Sequence, residues 1–484
     1  MQFIVKYFPE ITIKSRPVRT QFSQKLRDNL KTLLKPLDAD IVIDREWDRL
    51  VIRSHINDAA ITEQVITVLQ NTPGIANFLE VVTFPFVDLH QAYLDTASLW
   101  GDRLKNKSFV VRTKREGKHD FNSNDAERYI GGGLNTHHET GGVNLHTPDI
   151  TIRVEIRHDQ LYVVNRRFEG LGGFPLGALD SVVSLISGGF DSTVATYLMM
   201  RRGMRCHFLF FNLGGRDHEL GVKEVAYYLW NKFGASSRVK FIAIPFEGVV
   251  AELLKNVNDS YMGVILKRMM LRAAERVAEQ LDIKALVTGE AVAQVSSQTL
   301  TNLSVIDRAT DMLVMRPLIA SDKGDIINIA RRIGTEAFAA SMPEYCGVIS
   351  VKPTTRAKLD KVEHEESRFD MQILDDAIAN ARSSNIDEVM NDMPEPVDVE
   401  VFSIPVGGAI IIDVRHPAEE ELKPLQLGNS KILKIPFYEL HKKFIELDQQ
   451  QTYLLYCDKG VMSRLHASHL VADGHKNVKV YRPA

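Results

Sequence analysis

The sequence predicts a multidomain α/β protein, with a small α+β front, a doubly wound parallel-sheet domain in the middle and a smaller α/β domain at the end. Three observations carry this reading. First, Val182–Ile186 is a short apolar run that breaks at Ser187-Gly188-Gly189. It passes through the helix-start residues Asp191 and Ser192 into a helical pattern from Thr193 to Met200. Second, the alternation continues to about residue 345. Cys206–Phe211, Val239–Ile244 and Ala285–Thr288 read as strands, Lys223–Phe233 and Val264–Glu279 as helices. That pattern implies a parallel sheet covered on both faces. Third, α/β patterning returns at 401–484, with strands at Ala409–Val414 and Thr452–Tyr456. The expected domains are 1–59, 60–167, 178–395 with an acidic connector at its end, and 404–484.

In the front, Gln2–Tyr7 alternates with period two. Arg19–Lys35 carries Phe22, Leu26, Leu30, Leu33 and Leu34 at helical spacing and stops at Pro36. Ile41–Ile43 and Leu50–Ile52 bracket a hairpin, and Lys14, Arg16 and Arg19 form a positive edge. Ala60–Asn71 is helical until Pro73-Gly74. Ser108–Thr113, Thr151–Ile156 and Gln160–Asn165 read as strands, and a helix over Asp125–Ile130 leads into Gly131-Gly132-Gly133. Gly170–Gly177 is a turn-rich junction. In the central domain Thr288-Gly289-Glu290 ends a strand on the side where such sheets bind ligands, and Lys267 lies on the preceding helix. Residues 325–333 are helical and end at Gly334; residues 352–400 are polar, acidic, helical in part and read as a connector.

Composition narrows the function. The 484 residues are 44% hydrophobic and 25% charged, as in a globular protein of several domains. No apolar run is long enough for a membrane span, and Met1–Lys6 alternates like a strand instead of carrying a signal peptide's apolar block. Three cysteines argue against a disulfide scaffold and for a reducing, cytoplasmic setting. The net charge of −3 hides an uneven distribution: residues 1–35 carry +6 and residues 360–400 carry −10. Seven Lys and Arg lie between Arg103 and Lys118. A basic front suits a polyanion, with solvated faces as the plain alternative.

The glycine turn has a chemistry. Glycines let the backbone approach a ligand, and the first helix amides hold phosphate. The spacing and lysine of G-x-x-x-x-G-K-[ST] are missing, so γ-phosphate transfer machinery is absent. Ser187-Gly188-Gly189-Phe190-Asp191-Ser192 resembles the pyrophosphatase loop of enzymes that split ATP between its α- and β-phosphates and attach AMP to a carbonyl oxygen. An ordinary glycine turn is the alternative.

Two cysteines could carry sulfur. Cys457 ends a strand and precedes a glycine turn and a helix, in Cys457-Asp458-Lys459-Gly460-Val461-Met462-Ser463-Arg464. Helix-start amides with Lys459 and Arg464 would favour its thiolate, which could hold a persulfide. With the Asp413-Val414-Arg415 strand ahead of it, this loop resembles a rhodanese domain. The Cys-x5-Arg loop of cysteine phosphatases does not fit, because six residues separate Cys457 from Arg464. Cys346 sits in the loop Met342-Pro-Glu-Tyr-Cys-Gly347, where it could resolve a persulfide. Cys206 lies in an apolar run and reads as core.

The front resembles a ferredoxin-like domain followed by a THUMP RNA-binding domain. Those two, a pyrophosphatase (PP-loop) domain and a C-terminal rhodanese domain, in this order, resemble the tRNA 4-thiouridine synthetase family in its long form. The resemblance extends to Leu266-Lys-Arg-Met-Met, Val287-Thr-Gly-Glu-Ala, Gln294-Val-Ser-Ser-Gln-Thr-Leu and Gly460-Val-Met-Ser-Arg-Leu. It implies ATP-dependent sulfur transfer to the uridine at position 8 of tRNA, through adenylation of O4 and a cysteine persulfide. It implies ATP contacts at Leu185, Ile186, Ser187, Gly188, Gly189, Asp191, Ser192, Lys267, Gly289 and Gln298. Asp191 would hold Mg²⁺ or orient the α-phosphate, with a plain helix cap as the alternative. Cys457 would carry the persulfide, and Cys346 would release it as a Cys346–Cys457 disulfide. The implied partners are tRNA, a pyridoxal-phosphate cysteine desulfurase as sulfur donor and the sulfur carrier protein of thiamine thiazole synthesis; a homodimer is left open. Two rivals remain at this point. One is an amidotransferase activating a carboxylate, and the other is an RNA-binding sulfur relay with a vestigial ATP loop.

Overall fold

The structure, a computed structural model, describes the chain except residues 57, 214, 342–352, 392–398, 406–407, 416–419, 422, 428–430, 437–439, 441–442, 459–460 and 484. It divides into two compact units, 1–179 with 201–203, and 180–200 with 204–484.

The first unit is built on one seven-stranded sheet in the order β2-β3-β1-β4-β7-β6-β5. The strands are β1 (Gln2–Tyr7), β2 (Val42–Arg45), β3 (Arg49–Arg53), β4 (Ile75–Pro85), β5 (Phe109–Glu116), β6 (Ile150–Arg157) and β7 (Gln160–Glu169). Its main helices are α1 (Arg16–Leu34), α2 (Ala59–Gln70), α3 (Leu89–Trp100) and α4 (Ser123–His137). On α1, Phe22, Leu26, Leu30 and Leu34 share one face and are buried together. Asp58 starts α2 by accepting the Ala60 and Ile61 amides, and a capping box between Asn122 and Asp125 starts α4. Val65, Leu69, Ile75 and Phe78 lie in the same core as Phe3 and Leu26. The boundary expected at residue 59 therefore falls inside a continuous core, because α2 and β4 complete the packing that β1 and α1 begin. A second core gathers Phe109, Val111, Ile130 and Ile152. On β5 the pleat turns Val111 and Thr113 inward and Arg112 and Lys114 outward.

The second unit carries a six-stranded sheet in the order β12-β11-β8-β9-β10-β13. These are β8 (Val182–Leu185), β9 (Cys206–Asn212), β10 (Lys240–Pro245), β11 (Ala285–Val287), β12 (Leu313–Met315) and β13 (Arg382–Asn385). All neighbours are parallel except β13, which runs antiparallel to β10. The helices used below are α5 (Phe190–Arg201), α6 (Gly215–Leu229), α7 (Glu247–Asn256), α8 (Met262–Gln280), α9 (Leu300–Asp307), α10 (Lys323–Ile333), α11 (Leu359–Glu366) and α12 (Met371–Ala379). Leu209, Phe211, Ile242 and Ile244 pack with α8 on one side of the sheet. Phe210 points the other way, onto His218 of α6 at a ring separation of 4.9 Å. The sheet is doubly wound, as expected.

The acidic connector is largely something else. Val362, Phe369 and Leu374 belong to the nucleotide-domain core, and β13 extends its sheet. The acids mislead because several are partners of basic residues on α8. Arg268 is 1% exposed and meets Glu366 at 2.6 Å, while its other nitrogen donates to the Val305 carbonyl at 2.6 Å. Arg272 also meets Glu366, at 3.1 Å. Burial would raise the Glu366 carboxyl, but these two guanidinium groups hold it below the usual carboxylate range. Arg268→Ala removes one of the two guanidinium partners of Glu366 and the donor to the Val305 carbonyl, and should destabilise the nucleotide domain by about 2 kcal/mol, read as a lower thermal transition; an unchanged transition would make the pair dispensable.

The same unit ends in a five-stranded parallel sheet, β14-β18-β17-β15-β16. Its strands are β14 (Val401–Phe402), β15 (Ile410–Asp413), β16 (Ile432–Lys434), β17 (Tyr453–Tyr456) and β18 (Val478–Tyr481), with α13 (Val461–Ala472) after β17. Among the described residues, no helix is long and apolar enough to cross a membrane.

Candidate functional site

The β8–α5 turn closes on itself. The Ser187 amide donates to Ser192 Oγ at 3.1 Å, and the Ser187 and Ser192 hydroxyls lie 3.1 Å apart. Gly188 takes a positive φ of 82°, a conformation that favours glycine. Below the turn, Thr196 Oγ1 donates to the Ser192 carbonyl and meets Ser184 Oγ, both at 2.7 Å. The turn opens at the carboxyl end of β8, between its parallel neighbours β9 and β11. There the chain order reverses, and sheets of this kind bind ligands at such a point.

A cavity of about 570 Å³ lies there. Leu185, Ile186, Ser187, Gly189, Asp191, Ser192, Lys267, Gly289 and Gln298 all line it, with Phe211, Val264 and Met270 as apolar wall. Its size suits a nucleotide. Gln298 is 9% exposed, and its Oε1 is buried without a hydrogen-bond partner among the described residues. An acceptor left so in a cavity wall fits a donor on a bound ligand. Residues 185–192 and 267–298 come together because β8 and β11 are adjacent, although some 80 positions separate them.

Gly289 also packs tightly against the β8–α5 turn. A Cβ there would stand 2.5 Å from the Asp191 carbonyl carbon and 2.5 Å from the Ser192 nitrogen. The glycine makes room for the phosphate turn itself. Gly289→Ala should shift that turn and lower ATP cleavage on the order of a hundredfold, measured as pyrophosphate release; near-normal release would show that the turn tolerates the shift.

Several polar residues of the site carry no sequence signal. Lys323, at the first turn of α10, meets both Asp191 oxygens at 3.0 and 3.2 Å, and Gln294 donates to Asp191 Oδ2 at 2.8 Å. Lys267 donates to Glu290 at 2.5 Å, and Arg316 holds the other oxygen of Glu290 at 2.8 Å. Burial would raise the Glu290 carboxyl, but Lys267 and Arg316 overcome it and hold it at about 2. His218 lies 3.4 Å from the Ser187 carbonyl, and burial lowers its imidazole against that contact. Among the described residues no group of three or more His, Cys, Asp or Glu could hold a metal. Among the described residues Asp191 and Glu290 are the carboxylates lining the cavity, and Glu290 is already held by Lys267 and Arg316, so Mg²⁺ here would depend chiefly on phosphate oxygens and Asp191.

The second centre is the β17–α13 turn. Cys457 is 6% exposed, and its Sγ accepts the Ser463 amide at 3.3 Å and lies 3.4 Å from the Ser463 hydroxyl. Helix-start donors thus meet the sulfur, as expected. Arg464 is exposed, and Lys459 lies outside the described residues. The guanidinium built into this loop is instead Arg415, bound to Asp413 at 2.6 Å and to Asp458 at 3.1 Å. Tyr456 OH donates to the same Asp458 oxygen at 2.8 Å. Cys346 lies outside the described residues. Cys206 is buried in the nucleotide sheet, and that burial pushes its thiol up, as a core residue requires.

Comparison with known proteins matches each part. Residues 2–78 match the ThiI ferredoxin-like domain, 94–164 the THUMP domain, 177–371 the thiamine biosynthesis protein ThiI, and 403–483 the rhodanese-like domain. The chain is 55% identical over 484 residues to a tRNA sulfurtransferase of Saccharophagus degradans and 55% identical to one of Pseudomonas aeruginosa, covering 100% of each chain in both cases. The solved structure of a 4-thiouridine synthetase–RNA complex with bound ATP superposes with a TM-score of 0.70 at 25% identity, covering 79% of this chain and 99% of that one.

Proposed function

Since the chain belongs to the tRNA sulfurtransferase family, in the long form with a rhodanese-like domain, we propose that it uses ATP to replace O4 of the tRNA uridine at position 8 with sulfur. The single observation that carries this is the gathering of the phosphate turn, Lys267, Gly289 and Gln298 around one nucleotide-sized cavity in a chain that also holds Cys457 on helix-start donors. The RNA complex of the structural relative supports tRNA as the polyanion.

ATP sits with its phosphates on the Ser187–Ser192 amides and hydroxyls. Main-chain contacts from Leu185 and Ile186 and the free Gln298 oxygen serve the base or ribose. The uridine O4 attacks the α-phosphorus, pyrophosphate leaves, and the uracil carries AMP on O4. Lys323, relayed through Asp191, and Lys267 sit where negative charge builds on the phosphates. Mg²⁺, when bound, would neutralise phosphate charge, with Asp191 as the side chain able to reach it.

Cys457 receives a sulfur atom from the persulfide of a pyridoxal-phosphate cysteine desulfurase. Its terminal sulfur attacks C4, AMP leaves, and a C4–S–S–Cys457 link forms. The Cys346 thiolate then attacks Cys457 Sγ. The C4–S bond stays, the S–S bond breaks, the 4-thiouridine sulfur takes the electron pair, and a Cys346–Cys457 disulfide remains. A thiol reductant supplies two electrons to reset it. The matching family's description as a thiamine biosynthesis protein supports a second sulfur acceptor, the carrier protein of thiazole synthesis. A cytoplasmic setting fits the free thiols this cycle needs.

The exposed Lys14, Arg16, Arg103, Arg112, Lys114 and Lys118 favour the front as the tRNA surface, gripping phosphates and 2′-hydroxyls. Pyrophosphate release with and without unmodified tRNA tests the reading. Release that depends on tRNA supports adenylation of the RNA; tRNA-independent release points to a different ATP-cleaving enzyme, and no release leaves the sulfur relay.

A further inference from the structure

We propose that the C-terminal domain docks on helix α6 of the nucleotide domain through a buried pair, His466 with Glu224, and that this dock sets the position from which Cys457 delivers sulfur. The proposal rests on the sulfur-transfer reading above.

The pair is unusual in its burial. His466 Nε2 lies 2.8 Å from Glu224 Oε1, with side chains 4% and 6% exposed. The two residues come from different sheets of the same compact unit. Glu219 and Lys223 of α6 find their partners within the nucleotide domain. Glu219 meets Lys223 at 3.0 Å and Arg382 at 2.5 Å, and Asn212 donates to it at 3.0 Å. Among the described residues, the ionisable partner of Glu224 is His466. A carboxylate on a helix face is not buried without a partner, because desolvation would be too costly. At Glu224 the α6 surface is met by His466 of α13.

Each end of this contact leads to a reacting centre. On α13, His466 follows Ser463 by one turn, and Ser463 holds the Cys457 sulfur. On α6, Glu224 lies six residues beyond His218, about 9 Å along the helix, and His218 lines the ATP cavity and touches the Ser187 carbonyl. One helix thus touches the phosphate turn near its start and the sulfur-carrying domain further along. A fixed seat of this kind raises the effective concentration of the persulfide at the adenylated base compared with a domain swinging on its tether.

The test uses the full chain. In Glu224→Lys, tRNA-dependent pyrophosphate release and persulfide loading on Cys457 should stay within twofold of the parent, while 4-thiouridine formation falls about tenfold or more. The exchanged variant, Glu224→His with His466→Glu, should recover most of that loss. Unchanged thiolation in Glu224→Lys would overturn the proposal. So would a loss that pyrophosphate release or persulfide loading shares, since the pair would then serve the fold of one domain, and so would failure of the exchange to restore transfer. Amide hydrogen exchange of residues 215–229 reads the dock without any chemistry: protected in the parent and faster in Glu224→Lys if the dock exists, equal in both if it does not. If the parent itself forms no 4-thiouridine, the sulfur-transfer reading fails while the exchange measurement still decides the dock.

Discussion

Replacing Cys457 with alanine is expected to abolish persulfide loading and lower thiolation of tRNA by on the order of a thousandfold or more, while tRNA-dependent release of pyrophosphate continues. The two halves of the chemistry sit on separate sheets, which is why they should separate. In the proposed mechanism adenylation belongs to the turn after β8, whose hydroxyls, amides and cationic neighbours are all contributed by residues 185–323. Sulfur belongs to the turn after β17, where the Ser463 amide and hydroxyl surround one thiol. Removing that thiol leaves the nucleotide cavity untouched. Mass spectrometry of the protein after incubation with a desulfurase and cysteine gives the readout, a gain of one sulfur in the parent and none in the variant. Persulfide found on the variant would move the sulfur carrier to another cysteine and undo the rhodanese assignment.

Asp191→Ala carries the second large effect, a fall in pyrophosphate release of roughly a hundred- to a thousandfold with tRNA affinity unchanged. Its carboxylate holds the Lys323 ammonium at 3.0 and 3.2 Å and accepts from Gln294 at 2.8 Å, at the first turn of the helix that receives phosphate. Without it, Lys323 loses its anchor. A helix-capping role would predict something else, a lower melting temperature with turnover almost intact, so melting and turnover measured together separate the two. Full activity in Asp191→Ala would remove it from the mechanism.

Much of this was legible in the chain. The β8–α5 turn could be read because strand period, glycines and helix-start residues fall within a dozen positions. Local patterns of that kind are what sequence encodes most directly. Lys267, Gly289 and Gln298 were assigned to the nucleotide by resemblance, and they line one cavity with the β8–α5 turn. Lys323 was not legible. It is a surface-type residue at a helix start, 132 positions from Asp191, and only the sheet order brings the two together. The packing of Gly289 against Asp191 and Ser192 was not legible for a related reason: its neighbour is the backbone of another loop, which no local pattern announces. The stretch after residue 352 looked like a tether because acids outnumber bases thirteen to three over residues 360–400. Three well-placed apolar side chains and the arginines of α8 were enough to fold much of it into the domain. The break expected at residue 59 failed because charge and turn signals mark loops, whereas a shared core does not appear until strands pair.

The central claim is that one chain activates the uracil oxygen with ATP and supplies sulfur from its own cysteine. The most direct test gives the purified full chain ATP, unmodified tRNA, a cysteine desulfurase with cysteine, and a thiol reductant, then counts AMP and 4-thiouridine in the same reaction. One AMP for each thiolated uridine, with neither formed when tRNA is left out, is the predicted result. Thiolated tRNA appearing without AMP, or AMP accumulating while the RNA stays unmodified, would contradict it.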